Sequence, residues 1–80
     1  MSHYYLPPGM SDLDKINHFL IANGTQYEAE AVAQDETLVR VKDPTGACEY
    51  YKIGQLAPAL EECGSTDEVR RVLEGPLALD

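Results

Sequence analysis

Residues 27–53 read YEAEAVAQDETLVRVKDPTGACEYYKI, and this stretch decides the fold. Tyr27, Ala29, Ala31 and Ala33 alternate with Glu28 and Glu30, the period-two pattern of a strand with one buried face. Leu38 to Lys42 repeats it, with Val39 and Val41 on one side and Arg40 and Lys42 on the other. Asp43-Pro44-Thr45-Gly46 places Pro and Gly where a type I turn favours them. Residues 47–53 form a third run, in which Cys48 and Tyr50 alternate with Glu49 and Tyr51. The expectation is a three-stranded antiparallel meander.

Charge suggests its register. Pairing Ala31 with Val39 sets Glu30 opposite Arg40 and Glu28 opposite Lys42. Pairing Val39 with Tyr50 would set Glu49 beside Arg40. Both choices leave Ala29, Ala31, Val39, Val41, Cys48 and Tyr50 on the buried face, and the other face becomes an ion ladder.

Working outward, residues 12–22 form a helix. Ser11 is its N-cap, with Asp14 three positions on, and Asp12 and Asp14 lie where the helix dipole favours anions. Leu13, Ile16 and Leu20 recur at helical spacing beside Phe19, and Asn23-Gly24 supplies a left-handed stop. After the meander, residues 54–63 carry Leu56 and Leu60, with Pro58 expected in the first turn. Ser65 and Glu68 form a capping box for a last helix striped by Val69, Val72 and Leu73, which Gly75-Pro76 ends. Residues 1–10 read as an extended arm with an aromatic cluster at His3, Tyr4, Tyr5 and Leu6, and Leu77 and Leu79 are expected to tuck back. The fold class is therefore α+β: a two-layer, three-stranded meander packed by an N-terminal helix and two C-terminal helices, in the order α-β-β-β-α-α. Residues 1–80 read as one domain with an arm (1–10), helix (11–23), meander (27–53), two short helices (54–75) and tail (76–80).

Composition narrows the function. Six Lys and Arg stand against fourteen Asp and Glu, a formal charge of −8. Such a chain repels nucleic acid and anionic membrane, so an electrostatic partner is a basic protein surface. The five tyrosines lack the basic rim that a nucleic-acid groove needs. No run approaches the ~20 apolar residues of a membrane span, and residues 1–10 carry no leader pattern. A cytoplasmic protein follows, with Cys48 and Cys63 as reduced core thiols.

Chemistry finds no support. His3 and His18 have no motif joining them to a nucleophile, and no Cys-x-x-Cys or His-x-x-x-His spacing suggests zinc. No phosphate loop, nucleophile elbow or calcium loop is present. The expectation is no catalytic residue, no metal and no cofactor. Asn23-Gly24-Thr25 matches a glycosylation pattern but reads better as a helix stop.

The informative acids are those that folding does not explain. Glu61 and Glu62 sit at a helix end, where the dipole disfavours anions, and Asp67 and Glu68 follow within a few residues. Asp35 and Glu36 mark the first hairpin tip. These six are the candidate partner-binding residues, because local rules tend to be broken at functional sites. In size and charge alone, the chain is similar to small phage-encoded inhibitors, including anti-CRISPR proteins that mimic nucleic acid. That implies an inhibitor blocking a basic surface on a nucleic-acid-handling protein. The alternative is a non-catalytic interaction module that pairs with a second copy through the arm or a sheet edge.

Overall fold

The structure is a computed structural model that describes residues 9–77. Its elements run α1 (Asp12–Ala22), β1 (Glu28–Ala31), β2 (Leu38–Lys42), β3 (Cys48–Lys52), α2 (Ile53–Glu61) and α3 (Thr66–Leu73). The strands form one antiparallel sheet in the order β1-β2-β3. This is the α+β, α-β-β-β-α-α arrangement expected from the pattern. The helices cover one face of the sheet. Ile16, Phe19, Leu20, Val39, Tyr51, Leu56, Leu60, Val69 and Leu73 meet between the layers, all nearly or fully buried.

Both ends of α1 are held as the sequence implies. The Asp14 amide donates to Ser11 Oγ at 3.2 Å. At the other end Gly24 takes a left-handed φ of 75°. The Asn23 side chain donates to the Phe19 carbonyl at 2.8 Å, and the Thr25 hydroxyl to that of Leu20 at 2.8 Å. These satisfy carbonyls that the helix itself leaves open. Asn23 is therefore a buried cap, unsuited to carry a glycan. Asn17 joins α1 to the sheet: its side chain donates to the Ala29 carbonyl (3.0 Å) and accepts from the Ala29 amide (2.9 Å). It occupies the outer edge of β1 in place of a fourth strand.

The first hairpin has the expected register, Glu28 opposite Lys42, Glu30 opposite Arg40 and Ala31 opposite Val39. The second differs by one residue. Val39 lies opposite Tyr51, Arg40 opposite Tyr50, Val41 opposite Glu49 and Lys42 opposite Cys48. Gly46 is the cause. Its φ of 94° adds a left-handed residue after the type I turn, and Asp43 pairs with Ala47 across a three-residue loop. One extra residue flips every side chain on the strand. Tyr51 is thus buried, whereas Tyr50 and Cys48 face outward and Glu49 turns to the helix side of the sheet.

Three further expectations are corrected. β1 ends at Ala31, because the chain enters turns closed by the Asp35 amide on the Val32 carbonyl and the Leu38 amide on that of Asp35, so Ala31 and Ala33 are exposed. Pro58 lies beyond the first turn of α2. The hydrogen bond it cannot make would have gone to Gly54; both residues face solvent, where water can serve that carbonyl, and burial of Leu56, Ala57 and Leu60 holds the helix. The thiols are free: Cys48 is exposed, and only Cys63 is a core residue. The arm cluster at His3, Tyr4, Tyr5 and Leu6, and Leu79, lie outside the described residues, while Leu77 packs on the core as expected.

The one-residue register shift predicts unequal roles for adjacent tyrosines. Tyr51→Ala should destabilise by about 3–5 kcal/mol, the loss typical of a large buried ring. Tyr50→Ala should cost under about 1 kcal/mol, as at other exposed sites. Urea unfolding midpoints of both variants check this, and equal losses would contradict the register.

Candidate functional site

Of the six acids singled out from sequence, several are engaged locally. The Glu68 carboxylate closes the capping box of α3, accepting from the Gly64 amide (3.1 Å) and the Ser65 hydroxyl (3.3 Å). Asp35 accepts from the Thr37 amide (2.9 Å) and hydroxyl (2.6 Å). Those bonds, with a smaller contribution from Lys52, hold its carboxyl below the usual range despite desolvation. Asp67 lies 4.0 Å from Arg70 on the next turn. The side chains of Glu36, Glu61 and Glu62 make no hydrogen bond or ion pair among the described residues.

The structure brings some of these together. Glu61 and Glu62 share a shallow concavity with Gln55, Pro58, Ala59 and Leu77. Glu36 shares another with Asp12, Lys52 and Gln55. Gln55 belongs to both, so an uncharged outer face of α2 is flanked by acids at each end. Glu62 and Glu68 both bear on the Cys63 thiol, which burial foremost, and then these two charges, push up. That thiol donates to the Ala59 carbonyl at 3.3 Å and stays protonated. Asp67 and Glu68 belong to the start of α3, apart from the hairpin that carries Asp35 and Glu36.

A second acidic feature was not singled out from sequence. A half-open groove of about 640 Å³ lies between the β2–β3 hairpin and the end of α3. Its floor includes Tyr27, Val41, Tyr51 and Leu73, and its rim carries Asp43, Glu49 and Glu74. Two contacts build it. The Tyr51 hydroxyl donates to the Leu73 carbonyl at 2.6 Å, which draws the last turn of α3, and with it Glu74, onto β3. The Asp43 carboxylate accepts from the Thr45 hydroxyl (2.6 Å), the Thr45 amide (2.9 Å) and the Ala47 amide (3.0 Å), which fixes the hairpin. The Thr45 hydroxyl is the main reason that the Asp43 carboxyl is held below its usual range.

Among the described residues, no group of three or more His, Cys, Asp and Glu side chains is placed to hold a metal ion. The groove carboxylates therefore ring the space without converging on a point. No described helix is long and apolar enough to cross a membrane. No family model, curated protein or solved structure matches the chain.

Burial, followed by Glu49, Tyr27 and Glu74, pushes the Tyr51 phenol up to about 12. The unfolded phenol titrates near ~10. Below that value both states keep the proton, and the contribution to stability is complete. Between about 10 and 12 the unfolded state loses its proton first, so stability falls as pH rises. Tyr51→Phe should remove that part of the alkaline loss, and should cost about 0.5–1.5 kcal/mol at neutral pH. Denaturant titrations of both proteins from neutral to alkaline pH check this.

Proposed function

We propose that the chain is a non-catalytic binding protein that lays its acidic sides on a basic, nucleic-acid-handling surface of a protein partner and so blocks that surface. The supporting observation is how the charges are divided. Strand register places Arg40, Lys42 and Lys52 on the open sheet face with only Glu28 and Glu30. Glu30 lies 2.5 Å from Arg40 and 3.8 Å from Lys42. Of the thirteen described carboxylates, the other eleven share the rest of the molecule with Lys15, Arg70 and Arg71. Among the described residues the open sheet face is therefore not acidic, and the negative excess lies on the helical side and the hairpin ends.

Magnitude limits what this charge can imitate. The longest dimension is 34 Å. Over that length a duplex carries about 20 charges and one strand about 10. An excess of eight among the described residues is close to that of a single backbone, so the surface best matched is one that grips one strand. Net negative charge also repels nucleic acid itself, which leaves the basic protein as the partner. The chain needs no cofactor or metal in this role. A cytoplasmic setting, with both thiols reduced, belongs to the same reading, as does the parallel in size and charge with phage-encoded inhibitors.

One observation favours a second reading, a homodimeric interaction module. Asn17 occupies the outer edge of β1, but among the described residues no strand pairs with the outer edge of β3. A second copy could add there. The two readings differ in salt dependence: the first is weakened by salt and the second is insensitive to it.

Protein captured from cell extract on the immobilised chain should be released by added single-stranded nucleic acid and by rising salt. Glu61→Lys combined with Glu62→Lys should weaken capture by about tenfold, on the order of 1.4 kcal/mol. Capture indifferent to salt, to nucleic acid and to these changes would overturn the inhibitor reading. A salt-insensitive dimer in sedimentation would replace it with the module.

A further inference from the structure

We propose that the groove between the β2–β3 hairpin and the end of α3 receives an arginine side chain from the partner protein. This rests on the reading of the chain as a binder of a basic protein surface, and adds a specific seat to it. The first support is charge complementarity inside a concave site. Asp43, Glu49 and Glu74 line the groove, and none of its lining residues is basic. The ion pairs among the described residues lie elsewhere: Lys15 with Asp12, Arg40 and Lys42 with Glu30, and Arg70 with Asp67. The Glu49 and Glu74 side chains make no hydrogen bond or ion pair among the described residues, so neither carboxylate is engaged before a ligand arrives.

The second support is the shape of the negative potential. The last turn of α3 forms one wall; Arg70 and Arg71 lie in that turn but outside the groove lining, so the charge facing the groove is that of Glu74 together with Asp43 and Glu49. The Tyr51 hydroxyl donates its hydrogen bond to the Leu73 carbonyl, so it is not free to donate to a groove carboxylate in competition with an incoming cation. The remaining walls are aromatic and aliphatic, and Tyr27 is half-buried with part of its surface still accessible.

These features together select among cations. A metal ion needs ligands that converge on one point, and the carboxylates here do not. A lysine ammonium is compact and strongly hydrated, and satisfies one carboxylate well. A guanidinium is flat, presents five donors, spans separated carboxylates and lies against an aromatic ring with little loss of hydration. The groove volume, about 640 Å³, is within the range of sites that hold a small ligand, and leaves room for the residues flanking the arginine.

The test uses the full chain and three capped tripeptides, Gly-X-Gly with X as arginine, lysine or citrulline. Amide chemical shifts are followed by NMR during titration of each. Arginine should give saturable shifts clustered at Tyr27, at the hairpin from Asp43 to Glu49, and at Leu73 to Gly75. Lysine should bind several-fold more weakly, and neutral citrulline should produce no saturable shift. Glu49→Gln combined with Glu74→Gln should weaken the arginine peptide by about tenfold. Tyr27→Leu should also weaken it and reduce the preference over lysine. Glu61→Gln with Glu62→Gln should leave it unchanged. Shifts spread over all the acidic sides, equal binding of lysine, or an unaffected Glu49/Glu74 variant would each overturn the assignment. If the groove fails while partner capture still falls with salt, this inference alone is lost. If capture ignores salt, the proposed function is lost whatever the groove binds.

Discussion

The hydrogen bond from Tyr51 to the Leu73 carbonyl ties the two layers of this protein together, and much else depends on it. With one Phe and no Trp, the chain has little aromatic area with which to fill a core. Tyr51 supplies such area from the edge strand β3, opposite Val39 of the central strand, but a buried phenol needs an acceptor. The last turn of a helix offers carbonyls without intrahelical partners, and α3 brings one within 2.6 Å. Once that bond forms, the end of α3 is fixed against β3. The side chain on the same face of β3, Glu49, then shares a groove with Glu74 across the layer boundary. A packing requirement has thereby brought like charges together. Their repulsion is tolerable because both are exposed and well hydrated.

The acidity of the chain divides into two kinds. Asp35, Asp43 and Glu68 shape the backbone, each accepting from backbone amides and hydroxyls in a turn or cap. Glu30 holds two cations on the open sheet face. These residues would be acidic in a protein with no partner at all. Glu36, Glu49, Glu61, Glu62 and Glu74 form no such contact among the described residues. Total charge is thus a poor guide to a binding face, whereas charge left over after local structure is assigned is a better one.

Local signals were legible and longer-range ones were not. The caps at Ser11 and Ser65, the stop at Gly24 and the first hairpin register all follow from residues within about one turn or one hairpin of each other. The second hairpin register is not legible because Asp43-Pro44-Thr45-Gly46 reads equally well as a closed four-residue turn. Gly at the fourth position also permits a left-handed bulge residue, and Tyr50-Tyr51 places equivalent aromatics on opposite faces, so the apolar pattern could not arbitrate. That single slip hid the groove. With Glu49 on the outer face it would neighbour Arg40 and be neutralised; on the inner face it faces Glu74, twenty-five residues further along. The sequence signal that could have found it was the Asp-Pro-Thr-Gly turn read with its bulge. Pro58 was misplaced for a related reason: helix propensity disfavours it beyond the first turn, but buried neighbours outweigh that preference.

Two kinds of recognition have different dependence on distance, and the proposed function draws on both. Unpaired acids around α2 act over about a Debye length, ~8–10 Å, and draw any basic surface toward the protein without selecting its details. The proposed arginine seat acts only at contact, where a guanidinium meets carboxylates beside an aromatic ring. The first raises the rate of encounter and gives it a strong salt dependence. The second decides which encounters persist, because a poorly fitted cation leaves the groove carboxylates without partners and dissociates quickly. The division also suits a protein of marginal size. Long-range attraction needs no extra ordered structure, and the groove is built from contacts that Tyr51 and Asp43 already make to hold the fold. In the proposed function, then, specificity resides where folding had already required rigidity.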